Sequence, residues 1–203
     1  FAVNTWAQTG RFVQDRFAIG FWVDPPNGPD LEQRYQEIAA AHFTFVLGGF
    51  GGGGKEFVDR QLALCEKYDL KAIVNIGKME LPGYPEHPNC WGYHLADEPG
   101  PKRFPELAQR TAAIRQAHPG KLAYINLFPD YVDFSLIDCA DYDEYLSKFI
   151  EQVQPDVLCM DHYPQFKPDK DTRDNYCRNL AAMREYSLRA GIPFWNFFNT
   201  MPF

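Results

Sequence analysis

Two adjacent carboxylates, Asp97 and Glu98, end the apolar run Cys90–Ala96 and stand directly before Pro99. A carboxylate at the C-terminal end of a strand lies where parallel α/β folds build their active sites. Carboxyl groups placed there can donate or accept protons during bond cleavage. An alternative stays open, because acidic residues and prolines are also favoured in the first turn of a helix. That alternative is stronger for Asp97 than for Glu98.

The alternation of side chains along a strand divides this run into two faces. The small and polar residues, with the candidate acid, share one face, namely Gly92, His94, Ala96 and Glu98. The bulky residues share the other face, namely Trp91, Tyr93 and Leu95. We therefore predict that Glu98 points into the crowded interior of a barrel and that the bulky set packs against covering helices.

Further polar and aromatic residues occur where other predicted strands end. On the face assigned to the interior they are Trp22, Asp24, Asn75, Asn126, Asp161 and Tyr163. Val157 and Cys159 share the face of Asp161, and His162 takes the opposite one. A solvated rim would also carry polar residues, but it would not explain Trp22 and Tyr163. We interpret the aromatic residues as platforms for a substrate, although packing in the core is the commoner role.

The glycine-rich run Gly48–Gly54 fits two phosphate-binding patterns, G-x-G-x-x-G and G-x-x-x-x-G-K. The residue after Lys55 is Glu56, whereas a P-loop needs Ser or Thr there. The next predicted strand ends in Asn75 rather than the acidic residue that binds a ribose. We reject both patterns and predict a loop whose backbone approaches a ligand.

A metal site is the second chemistry that these residues could support. Its candidate ligands are His94, Asp97, Glu98, Asp161 and His162. Adjacent residues of a strand point apart, so Asp97 and Glu98 are not expected to converge on one ion. We rank metal chemistry below acid–base chemistry and predict neither a metal nor another cofactor.

The composition is that of an ordinary globular protein of 203 residues, with 45% hydrophobic and 23% charged residues. A net charge of −7 without a basic run argues against nucleic acid as a partner. No apolar run approaches the roughly 20 residues that span a bilayer, so membrane insertion is not expected. Five scattered cysteines without a C-x-x-C pair predict neither a zinc ribbon nor a disulfide framework.

Strands and helices alternate along the chain at a spacing typical of βαβ units. The predicted strands are 18–23, 43–47, 71–76, 90–98, 122–128, 157–160 and 194–198. The predicted helices are 31–41, with Asp30 as N-cap, 56–68, 104–118, 142–153 and 173–190. This order predicts one (β/α)₈ barrel domain that lacks strand eight, since such barrels usually take about 250 residues. A doubly wound open sheet is the alternative.

Four segments carry a resemblance to known families. They read IGFWVDPP from Ile19, HLADEP from His94, YINLFP from Tyr124 and MDHYP from Met160. The chain resembles the retaining glycoside hydrolases of clan A, and more closely bacterial glycoside-hydrolase-like barrel proteins. The resemblance implies a (β/α)₈ barrel that acts on a carbohydrate.

Carried over to this sequence, the resemblance implies that Glu98 is the acid/base and that Asp97 binds a sugar hydroxyl. His162 and Tyr163 match the polar pair that often follows strand six of such barrels. Clan A places its nucleophile after strand seven, but Phe194–Thr200 contains no carboxylate. Asp161 is then the provisional second carboxylate, unless that group lies in missing sequence or the protein is no conventional glycosidase. A non-catalytic sugar-binding barrel and a metal-dependent lyase or isomerase remain the rival functions.

Overall fold

The computed structural model describes residues 10–48, 54–81, 83–166 and 175–201. The glycine-rich run falls mostly outside these residues. Within these residues lie six strands, with an α-helix between successive strands except β2 and β3. They are β1 (Phe45–Leu47), β2 (Lys71–Asn75), β3 (Cys90–Asp97), β4 (Leu122–Asn126), β5 (Leu158–Asp161) and β6 (Phe194–Phe197). The α-helices of the described residues are α1 (Leu31–Ala40), α2 (Lys55–Lys67), α3 (Phe104–Ala117), α4 (Tyr142–Val153) and α5 (Tyr176–Ala190). Short 3₁₀ turns occupy Pro101–Arg103 and Phe134–Ile137.

All strand pairs are parallel, as predicted from the βαβ pattern. Strands β1 to β4 form one sheet in sequential order, and β5 pairs with β6. A parallel bridge between Leu127 and Met160 links the two groups, and the Leu127 amide donates to the Cys159 carbonyl at 2.8 Å. The prediction of an α/β protein is confirmed. The ladder hydrogen bonds of the described strands do not close into a ring.

Two hydrophobic clusters lie on opposite faces of the strands. The larger one joins the strands to the helices and contains Tyr93 of β3, Leu107 of α3 and Phe149 of α4. The smaller one, the tryptophan cluster, takes residues from all six strands and from the segments preceding two of them. Its members are Phe12, Phe45, Leu47, Ile73, Trp91, Leu122, Tyr124, Val157, Cys159 and Trp195.

The predicted first strand, 18–23, is not a strand in the structure. Its backbone meets the start of β1 at Ile19, whose carbonyl accepts from the Thr44 and Phe45 amides at 2.8 and 3.2 Å. The Ile19 amide donates to Thr44 Oγ1 at 2.8 Å. Farther along, Val23 forms an isolated antiparallel bridge with Gly48. Residues 18–23 are partly or fully exposed, and they do not make the regular ladder that defines a strand.

Trp91 is on the opposite face from the one predicted. Its ring lies in the tryptophan cluster, 6.0 Å from the Trp195 ring, whereas Tyr93 packs toward the helices as predicted. The pairing of β2 with β3 shifts register between Ala72 and Ile73. Such a bulge inserts one extra residue and resets the alternation of side chains.

The predicted helix positions agree with the structure to within a few residues. Helix α4 has the predicted bounds, and Gly191 ends α5 in the left-handed conformation with φ of 67°. Asp30 occupies the N-cap position of α1 without capping it, because its carboxylate binds Arg34 of the next turn at 3.1 Å instead.

An apolar groove separates the extended segment 17–22 from β6. The groove has a volume of about 700 Å³ and is lined by aromatic side chains that include Phe17, Phe21 and Phe198. No described strand pairs with the outer edge of β6. An open strand edge beside apolar surface invites pairing with another chain.

We therefore expect the 203-residue chain to self-associate through this groove. The apparent mass in sedimentation velocity should rise with protein concentration. Phe198→Lys should suppress the rise, because Phe198 directly follows β6 and is 53% exposed at the groove, and a lysine beside a strand edge opposes pairing.

Leu188→Lys is the matched control, since Leu188 is exposed on α5 and does not line the groove. Self-association that Leu188→Lys abolishes and Phe198→Lys leaves intact would contradict this assignment. A wild-type chain that stays monomeric at every concentration would also contradict it.

Candidate functional site

Asn126, the last residue of β4, joins two of the predicted carboxylates. Its side-chain Nδ2 donates to Oδ1 of Asp97 at 3.0 Å and to Oδ1 of Asp161 at 2.7 Å. The three residues end the neighbouring strands β3, β4 and β5, so parallel pairing brings them to the same edge. Asn126 is fully buried and Asp161 is 8% exposed, whereas Asp97 reaches solvent. The structure thus brings three predicted site residues together. With Glu98 and Tyr163, described next, we call them the acidic cluster.

Glu98 joins this cluster because its backbone leaves the strand conformation. Its φ is 45°, in the left-handed region that non-glycine residues seldom adopt. Its amide still donates to the Asn126 carbonyl at 2.9 Å, and its carboxyl group hydrogen-bonds to Asp161. The left-handed backbone at Glu98 departs from the regular strand on which we expected Asp97 and Glu98 to point apart. Both carboxyl groups act electrostatically on Asp161 or are acted on by it.

The cluster holds a proton on Glu98 near neutral pH. Burial, then the negative charges of Asp161 and Asp97, and finally the hydrogen bond to Asp161 raise the pKa of Glu98 to about 7. Burial also raises the pKa of Asp161, but hydrogen bonds from Asn126 and Tyr163 oppose the rise. The Asp161 carboxyl group therefore ionises more readily than that of Glu98, and Glu98 is the group that carries the proton.

Tyr163 completes the polar side of the cluster. Burial, followed by the charge of Asp161 and its hydrogen bond to that residue, raises the pKa of Tyr163, so the phenol keeps its proton and donates. Tyr163 also lines the apolar groove beside segment 17–22. The acidic cluster and the groove therefore share one residue.

Trp22 lies between that groove and His94 of β3. Its ring is half-buried, 5.2 Å from the Phe197 ring and 6.3 Å from the imidazole of His94, and perpendicular to the latter. Burial lowers the pKa of His94 to about 4, so its imidazole is neutral at physiological pH. His94 also contacts the Tyr124 ring at 5.8 Å, which makes it part of the packing beneath the carboxylates.

Asp24 contacts a different set of residues from those in the cluster. Its carboxylate accepts from Gln61 of α2 at 2.7 Å and from Tyr35 of α1 at 3.4 Å. Burial raises the pKa of Asp24 to about 6, and the side chain is 1% exposed. The structure gives Asp24 a place between two helices, where a substrate could not reach it without rearrangement.

Asn75 and His162 also have local partners. Asn75 Oδ1 accepts from the Gly77 amide at 2.8 Å, which shapes the turn after β2. His162 is fully buried, and its Nδ1 lies 2.8 Å from Asn179 Oδ1 of α5. Because that oxygen also accepts from the Asp130 amide, His162 Nδ1 is the donor of this hydrogen bond. His162 thus ties β5 to α5 on the face away from Asp161.

Cys159 contacts the acidic cluster through Asn126, and we did not predict it to be functional. It is fully buried, and its Sγ lies 3.7 Å from Asn126 Oδ1. Its position two residues before Asp161 on the same strand face was the signal available in the sequence. All five cysteines are free thiols, and Cys177 is the exposed one.

Neither a metal site nor a membrane-spanning helix is present among the described residues. No group of three His, Cys, Asp or Glu side chains in that part of the chain has an arrangement that could hold a metal ion. Within the same residues, none of the helices combines the length and the apolar character needed to cross a bilayer.

No protein-family model matches this chain, and no curated protein sequence matches it either.

Proposed function

We propose that this chain is a carbohydrate-active enzyme of the (β/α)₈-barrel type that hydrolyses glycosidic bonds. Glu98 acts as the proton donor and Asp161 as the second carboxyl group. The observation that carries the proposal is the cluster of three carboxyl groups at the ends of β3 and β5, in which the pKa of Glu98 is raised to about 7. Cleavage of a glycosidic bond needs a carboxylic acid that still holds its proton near neutral pH.

The barrel architecture is supported by side chains that join the first and last described strands. The Phe45 ring of β1 lies 5.4 Å from the Trp195 ring of β6, and both belong to the tryptophan cluster. An open, doubly wound sheet would keep its outermost strands apart, with helices on both faces. Here the helices pack on one face and the tryptophan cluster fills the other.

The chemistry follows from the charge on each carboxyl group. Glu98 would protonate the departing glycosidic oxygen, which is a poor leaving group without a proton. The negative charge of Asp161 would stabilise the oxocarbenium-like centre that develops at the same time. Asp97 reaches solvent beside them, where a carboxylate can accept hydrogen bonds from sugar hydroxyl groups.

The contact between Glu98 and Asp161 favours a second candidate, a sugar-binding barrel without hydrolytic activity. Retaining glycosidases place their two carboxyl groups about 5 Å apart, and inverting enzymes place them about 6.5–9.5 Å apart. Two hydrogen-bonded carboxyl groups are closer than either spacing. Hydrolysis therefore requires a bound substrate to separate the pair, whereas binding alone does not.

The two candidates are distinguished by a panel of immobilised glycans together with a panel of aryl glycosides. Turnover by the wild-type chain and not by Glu98→Gln would support hydrolysis. Retention on a glycan without turnover of any glycoside would support the binding function. A wild-type chain that neither binds nor hydrolyses any member of either panel would contradict both.

Trp22 provides a test of where a sugar would bind. We expect Trp22→Ala to weaken binding by about 1–3 kcal/mol, the scale of losing a well-packed aromatic contact. Because the ring is only half-buried, the melting temperature should move little. Isothermal titration with a glycan found in the panel and thermal melts would measure the two effects.

Trp22→Phe is the matched control, because it keeps an aromatic face and should recover most of the affinity. A large loss of stability with unchanged binding would instead assign Trp22 to the core.

A further inference from the structure

A buried chain of polar groups runs from β4 through β5 to the acidic cluster. The Tyr124 hydroxyl lies 3.3 Å from Cys159 Sγ, and Cys159 Sγ lies 3.7 Å from Asn126 Oδ1. Asn126 Nδ2 then donates to Asp97 and Asp161. Tyr124 and Asn126 are both at most 1% exposed, as is Cys159.

The direction of each hydrogen bond is fixed by chemistry. Burial raises the pKa of Cys159 to about 12 and also raises that of Tyr124, so both groups keep their hydrogens. Asn126 Oδ1 can only accept, so the thiol donates to it and the Tyr124 hydroxyl donates to the sulfur. A rotated Asn126 amide would aim its oxygen at two carboxylate oxygens, which would repel it.

We propose that Cys159, supported by Tyr124, is a positioning residue that holds the Asn126 amide with its nitrogen toward Asp97 and Asp161. The thiol gives the amide oxygen a partner on the far side, which the rotated amide would lose. Asn126 thereby keeps its strong hydrogen bond to Asp161 and stabilises the Asp161 anion. This makes Asp161 the charged member of the carboxyl pair and leaves the proton on Glu98.

This inference deepens the proposed function, and it rests on that function only for its effect on turnover. The protonation of the pair can be measured without any substrate. Several other titratable groups surround Asp161, namely Asp97 and Glu98 at the end of β3, Tyr124 of β4, Tyr142 of α4 and Tyr163. Cys159→Ala leaves all of them in place.

The experiment is a pH titration of the full chain, followed by carbon-13 NMR of the Asp and Glu side-chain carboxyl groups. Cys159→Ala should raise the pH at which Asp161 titrates by about one unit, because the Asn126 oxygen loses a hydrogen-bond partner and the amide is held less firmly against Asp161. Cys159→Ser keeps a donor and should titrate close to the wild type. If the wild type hydrolyses a glycoside, the acid limb of its kcat/KM profile should move with the Asp161 titration.

Cys65→Ala is the matched control, because Cys65 is also a fully buried thiol but belongs to α2 and the larger cluster. An Asp161 titration that Cys159→Ala leaves unchanged would overturn the inference, as would an equal shift in Cys65→Ala. If Cys159→Ala does not fold, Tyr124→Phe takes its place. It should give a smaller shift in the same direction, and no shift would overturn the inference. An inactive wild type with the expected titrations would reject the proposed function alone.

Discussion

Glu98→Gln is expected to depress the turnover of an unactivated glycoside by about 10²–10⁴-fold, the usual contribution of general acid catalysis. Glutamine keeps the shape of the side chain but has no proton to give to the leaving group. Substrates with activated aryl leaving groups should lose much less, because they depart without protonation. Steady-state kinetics on a matched pair of natural and aryl substrates would measure both effects.

The pH dependence gives Glu98 a second signature. With its pKa raised to about 7, wild-type activity should fall as the pH rises through that value, because Glu98 loses its proton. The same shift favours the folded state fully below the unfolded pKa of about 4.3, and this contribution is lost as the pH rises to about 7. Glu98→Gln should therefore show a weaker loss of stability over that range than the wild type.

Asp97→Asn is the informative comparison for this prediction. It removes a negative charge that raises the pKa of Glu98, so the alkaline limb of the activity profile should move to lower pH. The acid itself remains, and turnover at low pH should fall far less than in Glu98→Gln. Unchanged turnover of a natural glycoside by Glu98→Gln would show that Glu98 is not the proton donor.

Most of the helices and strands could be predicted because each carries a complete local signal. Helix α4 has an apolar face of helical period and begins after Asp141, whose side chain accepts from the Glu144 amide at 2.8 Å. The segment 18–23 was wrongly predicted as a strand, because an apolar run alone does not specify the hydrogen-bonded ladder of a strand. The strand face on which Trp91 lies was predicted wrongly. It depends on a register shift between β2 and β3, and that shift depends on the partner strand.

Only part of the cluster's membership could be predicted, and its geometry could not. Asn126 and Asp161 follow from strand alternation, and both lie in the cluster. The approach of Glu98 to Asp161 depends on a left-handed backbone at Glu98, for which the residue type gives no signal. Cys159 resembled a small hydrophobic residue in the sequence, and only its distance to Asn126 indicates a polar role.

The second large effect concerns the fold and is expected at Asp156, just before β5. This carboxylate is buried and joins three parts of the chain. Oδ1 lies 3.2 Å from Arg11 Nε and 2.9 Å from Arg115 Nη2, and Oδ2 accepts from the Phe12 amide at 3.2 Å. It therefore anchors the segment that precedes the predicted first strand to α3 and β5.

Asp156→Ala would leave the buried Phe12 amide without its acceptor and two guanidinium groups without their carboxylate, although both still donate to the Gln154 carbonyl. Breaking a fully buried ion pair costs about 3–5 kcal/mol, and we expect about 2–4 kcal/mol here, because both arginines keep some access to water. Urea unfolding followed by tryptophan fluorescence would measure the loss, since Phe12 packs edge-on against Trp91 at 5.6 Å. Glu151→Ala removes an exposed carboxylate from α4 and should change stability by no more than about 0.5 kcal/mol. If Asp156→Ala is as stable as that control, Asp156 does not anchor the N-terminal segment.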